Sequence, residues 1–475
     1  MKINVSDYYS NEEWQLFKAE SAKHDTPFVV VNLDIIRKKY QELRQFFPFA
    51  KVYYAMKANP SPEVLTLLRD LGSCFDIASR YELDRALSLG IDPEKISYGN
   101  TIKKISDIKY FYEKGVRLFA TDSETDLRHL AKYAPGSRVF CRILCEGSET
   151  ADWPLSRKFG CHPDMAIDLL VLAKDLGLQP CGISFHVGSQ QREIGSWDSA
   201  IAKVRYIYDY MESEGIKLNL INMGGGFPAK YISKTNEMSV YANEITRYLN
   251  EDFGDDLPEI ILEPGRSLVG EAGILVSEVV LISQKSSTGV DKWLYIDAGK
   301  FNGLAETWDE SIKYPIYSEA RGEDCEDFII AGPTCDSQDI MYEYFRNPLP
   351  AYIKPGDKIY WFSCGAYTAS YASCEFQRIP ADKNVLCGHQ SRIILLMLFP
   401  IKVGKRAKEN KDKKQPEAFF HAPHQNQDKK NGANDRIRRL RAFSPTQSLN
   451  EVKATALIVR IALAAANEQS GEQAM

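Results

Sequence analysis

Lys57 closes the run KVYYAMK. A lysine in that position can act as a covalent amine if its ammonium is partly desolvated, because burial lowers its pKa. Tyr53, Tyr54, Ala55 and Met56 supply an apolar setting for it. Further apolar runs end in Asp76, Asn100, Arg142, His186 with Ser189, the Gly224, Gly225, Gly226 loop, and Glu263 with Arg266. Three glycines after a strand let backbone N–H groups approach a phosphate closely, and an arginine beside them adds a charged donor. A buried carboxylate such as Glu263 would favour the protonated form of a pyridine nitrogen, and the His186 ring can stack on a flat cofactor. Each residue also has an ordinary structural reading: a rim lysine that snorkels, a tight turn, a surface ion pair, a core histidine. Residue type alone does not choose between these.

The choice depends on what positions the residues. KVYYAMK from Lys51, CFDIAS from Cys74, ISYGN from Ile96, LFATDS from Leu118, VFCRIL from Val139, GISFHVGS from Gly182, LINMGGG from Leu220 and EIILEPGR from Glu259 recur at regular spacing. Helical patterns separate them, as in PSPEVLTLLRDLG, where Pro60 and Ser61 open a helix and Gly72 closes it. Eight strand and helix units predict an α/β fold, a TIM-type (β/α)8 barrel, whose active site is built at the C-terminal ends of the strands. All the residues above sit at such ends. After Arg266 the runs ILVSEVVLI, KWLYIDAG, DFIIAGP and DKIYWFSCGAY follow without clear helices between them, which predicts a β-rich C-terminal domain. The expected divisions are an N-terminal segment 1–26, a barrel 27–270, a β-domain 271–376 and an atypical tail 377–475.

Composition narrows the function. With 475 residues, 44% of them hydrophobic, the chain can bury a large core in at least two domains. A net charge of −5 offers phosphate backbones no general attraction, so no nucleic-acid partner is expected. The N-terminus lacks an apolar signal region, and the longest apolar run, IILLMLFPI, is too short to span a bilayer, so a cytoplasmic protein with no membrane partner is expected. Ten cysteines without CxxC spacing fit reduced thiols and suggest no metal site.

The tail differs in kind. From Gln377 onward Lys plus Arg number 18 against 9 Asp plus Glu, whereas the preceding chain has 41 against 55. Its polar, lysine-rich stretches predict disorder, interrupted by one helix around ALIVRIALAAA.

The motifs YAMKANP, FDIAS, SFHVGS, NMGGGFP, EPGR, GPTCDSQD and CGAYT, in this order across residues 27–376, resemble the ornithine, lysine and diaminopimelate decarboxylase family. The resemblance implies an alanine-racemase-like barrel followed by a β-domain, with pyridoxal 5'-phosphate as cofactor. It implies that Lys57 holds the cofactor covalently, that His186 stacks on its ring and that Glu263 meets its nitrogen. Asp76 and Arg142 support the ring, while Ser189, Gly225, Gly226, Gly265, Arg266 and Tyr367 serve the phosphate. It further implies a homodimer with shared active sites, in which Cys335 of one subunit returns a proton to the decarboxylated carbon and Asp336 binds the substrate's distal ammonium. Without the family, Cys335 reads as a small buried residue and Asp336 as a turn residue.

Diaminopimelate decarboxylases usually carry glutamate where Asp336 follows Cys335, so Asp336 favours a small basic amino-acid substrate and a diamine product. Ornithine is the first choice, although one methylene gives only about 1–3 kcal/mol of discrimination against lysine. The LAETWDESIKYPI segment adds Asp309 and Glu310 as candidate substrate contacts. Noncatalytic regulators share the fold, but intact Lys57, Cys335 and Asp336 argue against that alternative. The family closes its β-domain with a segment like FNGFPPIKTYCV, where this chain has FQRIPADKNVLCG. One DNA string can encode both, read one base apart, which makes the tail the expected product of a shifted frame and predicts a lost closing strand.

Overall fold

The computed structural model describes residues 2–145, 150–155 and 158–373, and the backbone of two strands at 383–387 and 395–396. These residues fall within one unit that spans residues 1–402.

The apolar run FVVVN forms β1 (Phe28–Asn32), buried at every position. It lies inside the range expected for the barrel but does not join it, pairing instead with the β-domain. The barrel is closed by β2 (Ala50–Ala55), β3 (Cys74–Ile77), β4 (Ile96–Tyr98), β5 (Leu118–Thr121), β6 (Arg138–Arg142), β7 (Gln179–Ser184), β8 (Leu220–Asn222) and β9 (Glu259–Leu262). All neighbours are parallel, and β9 returns to β2 with Ala50 opposite Ile260. These are the eight runs read from the sequence. Tyr53, Leu118, Ala120, Phe140, Cys181, Leu220 and Ile261 form a buried cluster of their own from the barrel strands, so this is a packed core rather than a pore. Surrounding helices bury one stripe each. Helix Pro62–Asp70 opens with Pro62 after Ser61 and buries Val64, Leu65, Leu67 and Leu68.

The β-domain is a nine-stranded sheet that includes β1. Its other members are β10 (Gly273–Gln284), β11 (Lys292–Ile296), β12 (Ile316–Ser318), β13 (Cys325–Ala331), β14 (Ile340–Pro350), β15 (Lys358–Trp361), β16 (Lys383–Cys387) and β17 (Leu395–Leu396). The order is β14, β13, β11, β10, β1, β16, β17, with β15 bonded to β10 and β12. Helix Asn11–Ser21 packs on this domain through Trp14, whose ring lies 5.0 Å from Tyr360. A capping box between Ser10 and Glu13 starts that helix.

The expected loss of a closing strand at 376 is corrected. The backbone of β16 runs parallel to β1 from Phe28 opposite Lys383 to Asn32 opposite Cys387, so β1 is hydrogen-bonded along both edges. The remaining tail, including the expected disorder and the helix around ALIVRIALAAA, lies outside the described residues. No helix among the described residues is long and apolar enough to cross a membrane.

Candidate active site

Ala55, Lys57, Asp76, His186, Ser189, Gly225, Gly226, Phe227, Glu263, Gly265, Arg266 and Tyr367 line one cleft at the C-terminal ends of the barrel strands. Ten of the sequence-derived candidates thus converge from β2, β3, β7, β8, β9 and the loop after β15.

Lys57 sits in the single turn Met56–Ala58 that follows β2. Tyr54 and Met56 are buried around it, but Lys57 itself is exposed, which differs from the expected desolvated setting. Its turn is fastened to the β-domain. The Tyr367 N–H donates to the Ala58 carbonyl at 2.9 Å, and Asn59 Nδ2 donates to the Gly365 carbonyl at 2.9 Å. The YAMKANP and CGAYT motifs are therefore two halves of one joint.

Opposite the lysine are two half-buried carboxyls. Burial pushes Asp76 well above the usual range, the Glu263 charge adds to this, and the Lys57 charge opposes it; Ser97 Oγ donates to Asp76 Oδ1 at 2.9 Å. Burial also raises Glu263, against an Asn222 amide that donates to it and the charges of Arg142 and Lys57. Arg142 is absent from the cleft lining but acts on it through this field, with its guanidinium 5.1 Å from the Phe159 ring centroid. His186 is half-buried, and desolvation first, then the Arg142 and Lys57 charges, hold it well below its ordinary value. Its Nδ1 accepts from the Gly188 N–H at 3.1 Å, which fixes a neutral ring with the proton on Nε2.

The other end of the cleft is built for an anion. A Cβ at Gly225 would lie 2.6 Å from the Glu263 carbonyl oxygen, and one at Gly226 would lie 2.6 Å from the Gly188 carbonyl oxygen; Gly226 also has φ +99°. Only glycine leaves this backbone unstrained and accessible. Beside it, Arg266 Nε donates to Ser189 Oγ at 3.2 Å, and the guanidinium carbon is 4.8 Å from the Tyr367 ring centroid. A lysine amine, two half-buried carboxyls, a neutral imidazole and an anion cradle in one cleft match the chemistry of a phosphorylated pyridine aldehyde.

Four candidates lie elsewhere. Cys335 is exposed and Asp336 half-buried, and neither lines the cleft of its own chain. Their loop is pinned by Asp339, which accepts from the Lys300 N–H at 2.8 Å and from Thr334 Oγ1 at 2.7 Å. Asp309 is exposed, at φ +52°. The Glu310 carboxylate accepts the N–H groups of Glu343, Tyr344 and Phe345, each at 2.7 Å. These bonds anchor β14, and Glu310 is not among the residues that line the cleft of its own chain.

The sequence reading missed Asn222, Asp339 and, most notably, Glu306. Glu306 forms a bidentate pair with Arg266, with Oε2 2.6 Å from Nη1 and Oε1 2.5 Å from Nη2. Both side chains are almost wholly buried. The one available signal was a glutamate inside the otherwise apolar stretch GLAET.

A family model described as the pyridoxal-dependent decarboxylase, pyridoxal binding domain, matches residues 33–270. The lysine/ornithine decarboxylase of Selenomonas ruminantium is 34% identical over 349 residues, covering 73% of this chain and 86% of that protein. A crystal structure of lysine decarboxylase from the same organism superposes with a TM-score of 0.71 at 30% identity, covering 82% of this chain and 98% of the other. A crystal structure of lysine/ornithine decarboxylase complexed with cadaverine, from Vibrio vulnificus, gives a TM-score of 0.72 at 26% identity, covering 80% and 100%. With the family model covering half of the chain and the cleft carrying the matching chemistry, the chain belongs to the pyridoxal-dependent decarboxylases.

Proposed function

We propose that this protein decarboxylates L-ornithine, L-lysine or both, giving putrescine and cadaverine, as a cytoplasmic homodimer with pyridoxal phosphate. The observation that carries the reading is the single cleft lined by Lys57, the Asp76 and Glu263 carboxyls and the Gly225, Gly226 and Arg266 cradle. The relatives named lysine/ornithine decarboxylase support the substrate class.

Bound pyridoxal phosphate supplies an electron sink for the pair left when carbon dioxide departs. Lys57 would hold the cofactor covalently through its amine. Glu263 would meet the ring nitrogen and favour its protonated form, with Asp76 and Arg142 adjusting that charge. His186, held neutral, offers a flat face to the ring without competing for the carboxyls. Arg266, Ser189, Tyr367, Gly265 and the Gly225 and Gly226 N–H groups would hold the phosphate.

Cys335 and Asp336 do not reach their own chain's cleft, which fits a site completed across a dimer. There the partner subunit's Cys335 would return the proton to the α-carbon, and the partner subunit's Asp336 would pair with the substrate's distal ammonium, with Asp309 a second candidate for that charge.

The test offers purified protein with pyridoxal phosphate each of ornithine, lysine, arginine and diaminopimelate, and measures carbon dioxide and amine. Turnover of ornithine or lysine is the expected result. Turnover of diaminopimelate alone, or of none, would overturn it, the latter in favour of a noncatalytic regulator.

A further inference from the structure

Arg266 is nearly inaccessible to solvent, and its donors are almost fully assigned. Nε serves Ser189, Nη1 serves Tyr231 at 3.0 Å and Glu306, and Nη2 serves Glu306. A guanidinium without a counter-charge in such a place is strongly destabilising, so Glu306 supplies the charge that makes the arginine tolerable. Glu306 is itself enclosed, with the Tyr314 hydroxyl 3.5 Å from Oε2. The carboxylate comes from the β-domain side, in the short turn Ala305–Glu310, whereas the arginine comes from the segment just after β9.

From this arrangement we propose that Glu306 is a positioning residue for the phosphate site: it holds the Arg266 guanidinium in its cradle and stands in for the phosphate charge before the cofactor arrives. The inference rests on reading Arg266 as a phosphate ligand. Glu306 binds the guanidinium through both Nη atoms, so the Nε edge with Ser189 and the remaining Nη2 hydrogen are what the cleft can use. An arginine already paired contributes direction more than net charge, and the carboxylate resists the approach of a second anion. The cradle thereby keeps its shape when empty, at the expense of affinity for phosphate alone.

The experiment measures thermal stability of the full-length apoprotein, wild type and Glu306→Gln, titrated with inorganic phosphate and separately with pyridoxal phosphate. Glutamine keeps the shape and removes the charge. The variant should melt several degrees lower without ligand and be restored toward wild type by inorganic phosphate. Half-maximal stabilisation should come at a phosphate concentration lower by about tenfold or more than wild type needs. The Arg266→Gln, Glu306→Gln double variant should regain ligand-free stability and lose the phosphate response. If the single variant cannot be prepared without ligand, the double variant carries the test, and a double variant that likewise cannot be prepared without ligand would overturn the proposal, as would a double variant no more stable than a single variant that can be prepared. A single variant that matches wild type in both stability and phosphate response would overturn it as well, while pyridoxal phosphate binding by wild type leaves the reading of Arg266 standing. Wild type that binds no pyridoxal phosphate would overturn both.

Discussion

At the scale of the residue, the cleft holds groups whose titration changes stability with pH in opposite directions. Asp76 and Glu263 are raised by burial, so the folded state binds their protons more tightly than the unfolded chain does. Their contribution to stability is present below the ordinary carboxyl range and is lost as pH rises through the raised values. His186 is lowered, and the sign reverses: below about pH 6.5 the unfolded imidazole takes up a proton that the folded ring refuses, so stability is lost as pH falls. Replacing His186 with glutamine removes that one titration and leaves the carboxyls in place. The difference in urea midpoint between wild type and His186→Gln should therefore shift against wild type as pH is lowered through the imidazole range. A difference that stays constant with pH would show that His186 is not held neutral.

At the scale of the element, the loop after β8 (Leu220–Asn222) meets the loop after β7 (Gln179–Ser184) so closely that side chains are excluded. Gly226→Ala would force a residue at φ +99° and place a methyl 2.6 Å from the Gly188 carbonyl oxygen. Strain of that kind costs about 1–3 kcal/mol, and relieving it moves the N–H groups that form the cradle. Equilibrium unfolding should show that loss, with weaker pyridoxal phosphate binding in a direct titration; full affinity in this variant would argue that the loop does not hold the phosphate. Such elements were legible because their signals are local. The alternation of apolar runs with helical patterns gave all eight barrel strands, and residues at the ends of β2, β3, β7, β8 and β9 line one cleft, whereas Asn100 and Arg142 are not among its lining residues. Partners far apart in sequence left no such trace. FVVVN reads equally well as a barrel strand or a β-domain strand until β10 (Gly273–Gln284) is found beside it. Glu306 looks no different from Asp309 or Glu310 until Arg266, 40 residues earlier, is brought against it. Nor does the sequence show that Glu310 accepts three backbone N–H groups of β14 (Ile340–Pro350).

At the scale of the whole molecule, the candidate site residues of one chain fall in two separate places. Lys57 and the anion cradle face the same cleft, whereas Cys335 and Asp336 project from an exposed loop held in shape by Asp339. Tyr344 and Tyr352 are exposed at 84% and 69% on the same domain, more aromatic surface than an isolated subunit needs to leave open. A twofold dimer would supply each cleft with the loop of the other chain, and this has a quantitative consequence. Lys57→Ala subunits lack the covalent amine and Cys335→Ala subunits lack the proton donor, so each homodimer should be nearly inactive. In a heterodimer both defects fall in one site, and the other site receives Lys57 from one chain and Cys335 from its partner. Random exchange of equal amounts makes half of the dimers mixed, each with one intact site of two, so activity should recover to roughly a quarter of wild type. Decarboxylase assays on the mixture, with exchange verified by differently tagged subunits, measure this. Verified exchange without recovery would mean that Lys57 and Cys335 work within the same chain.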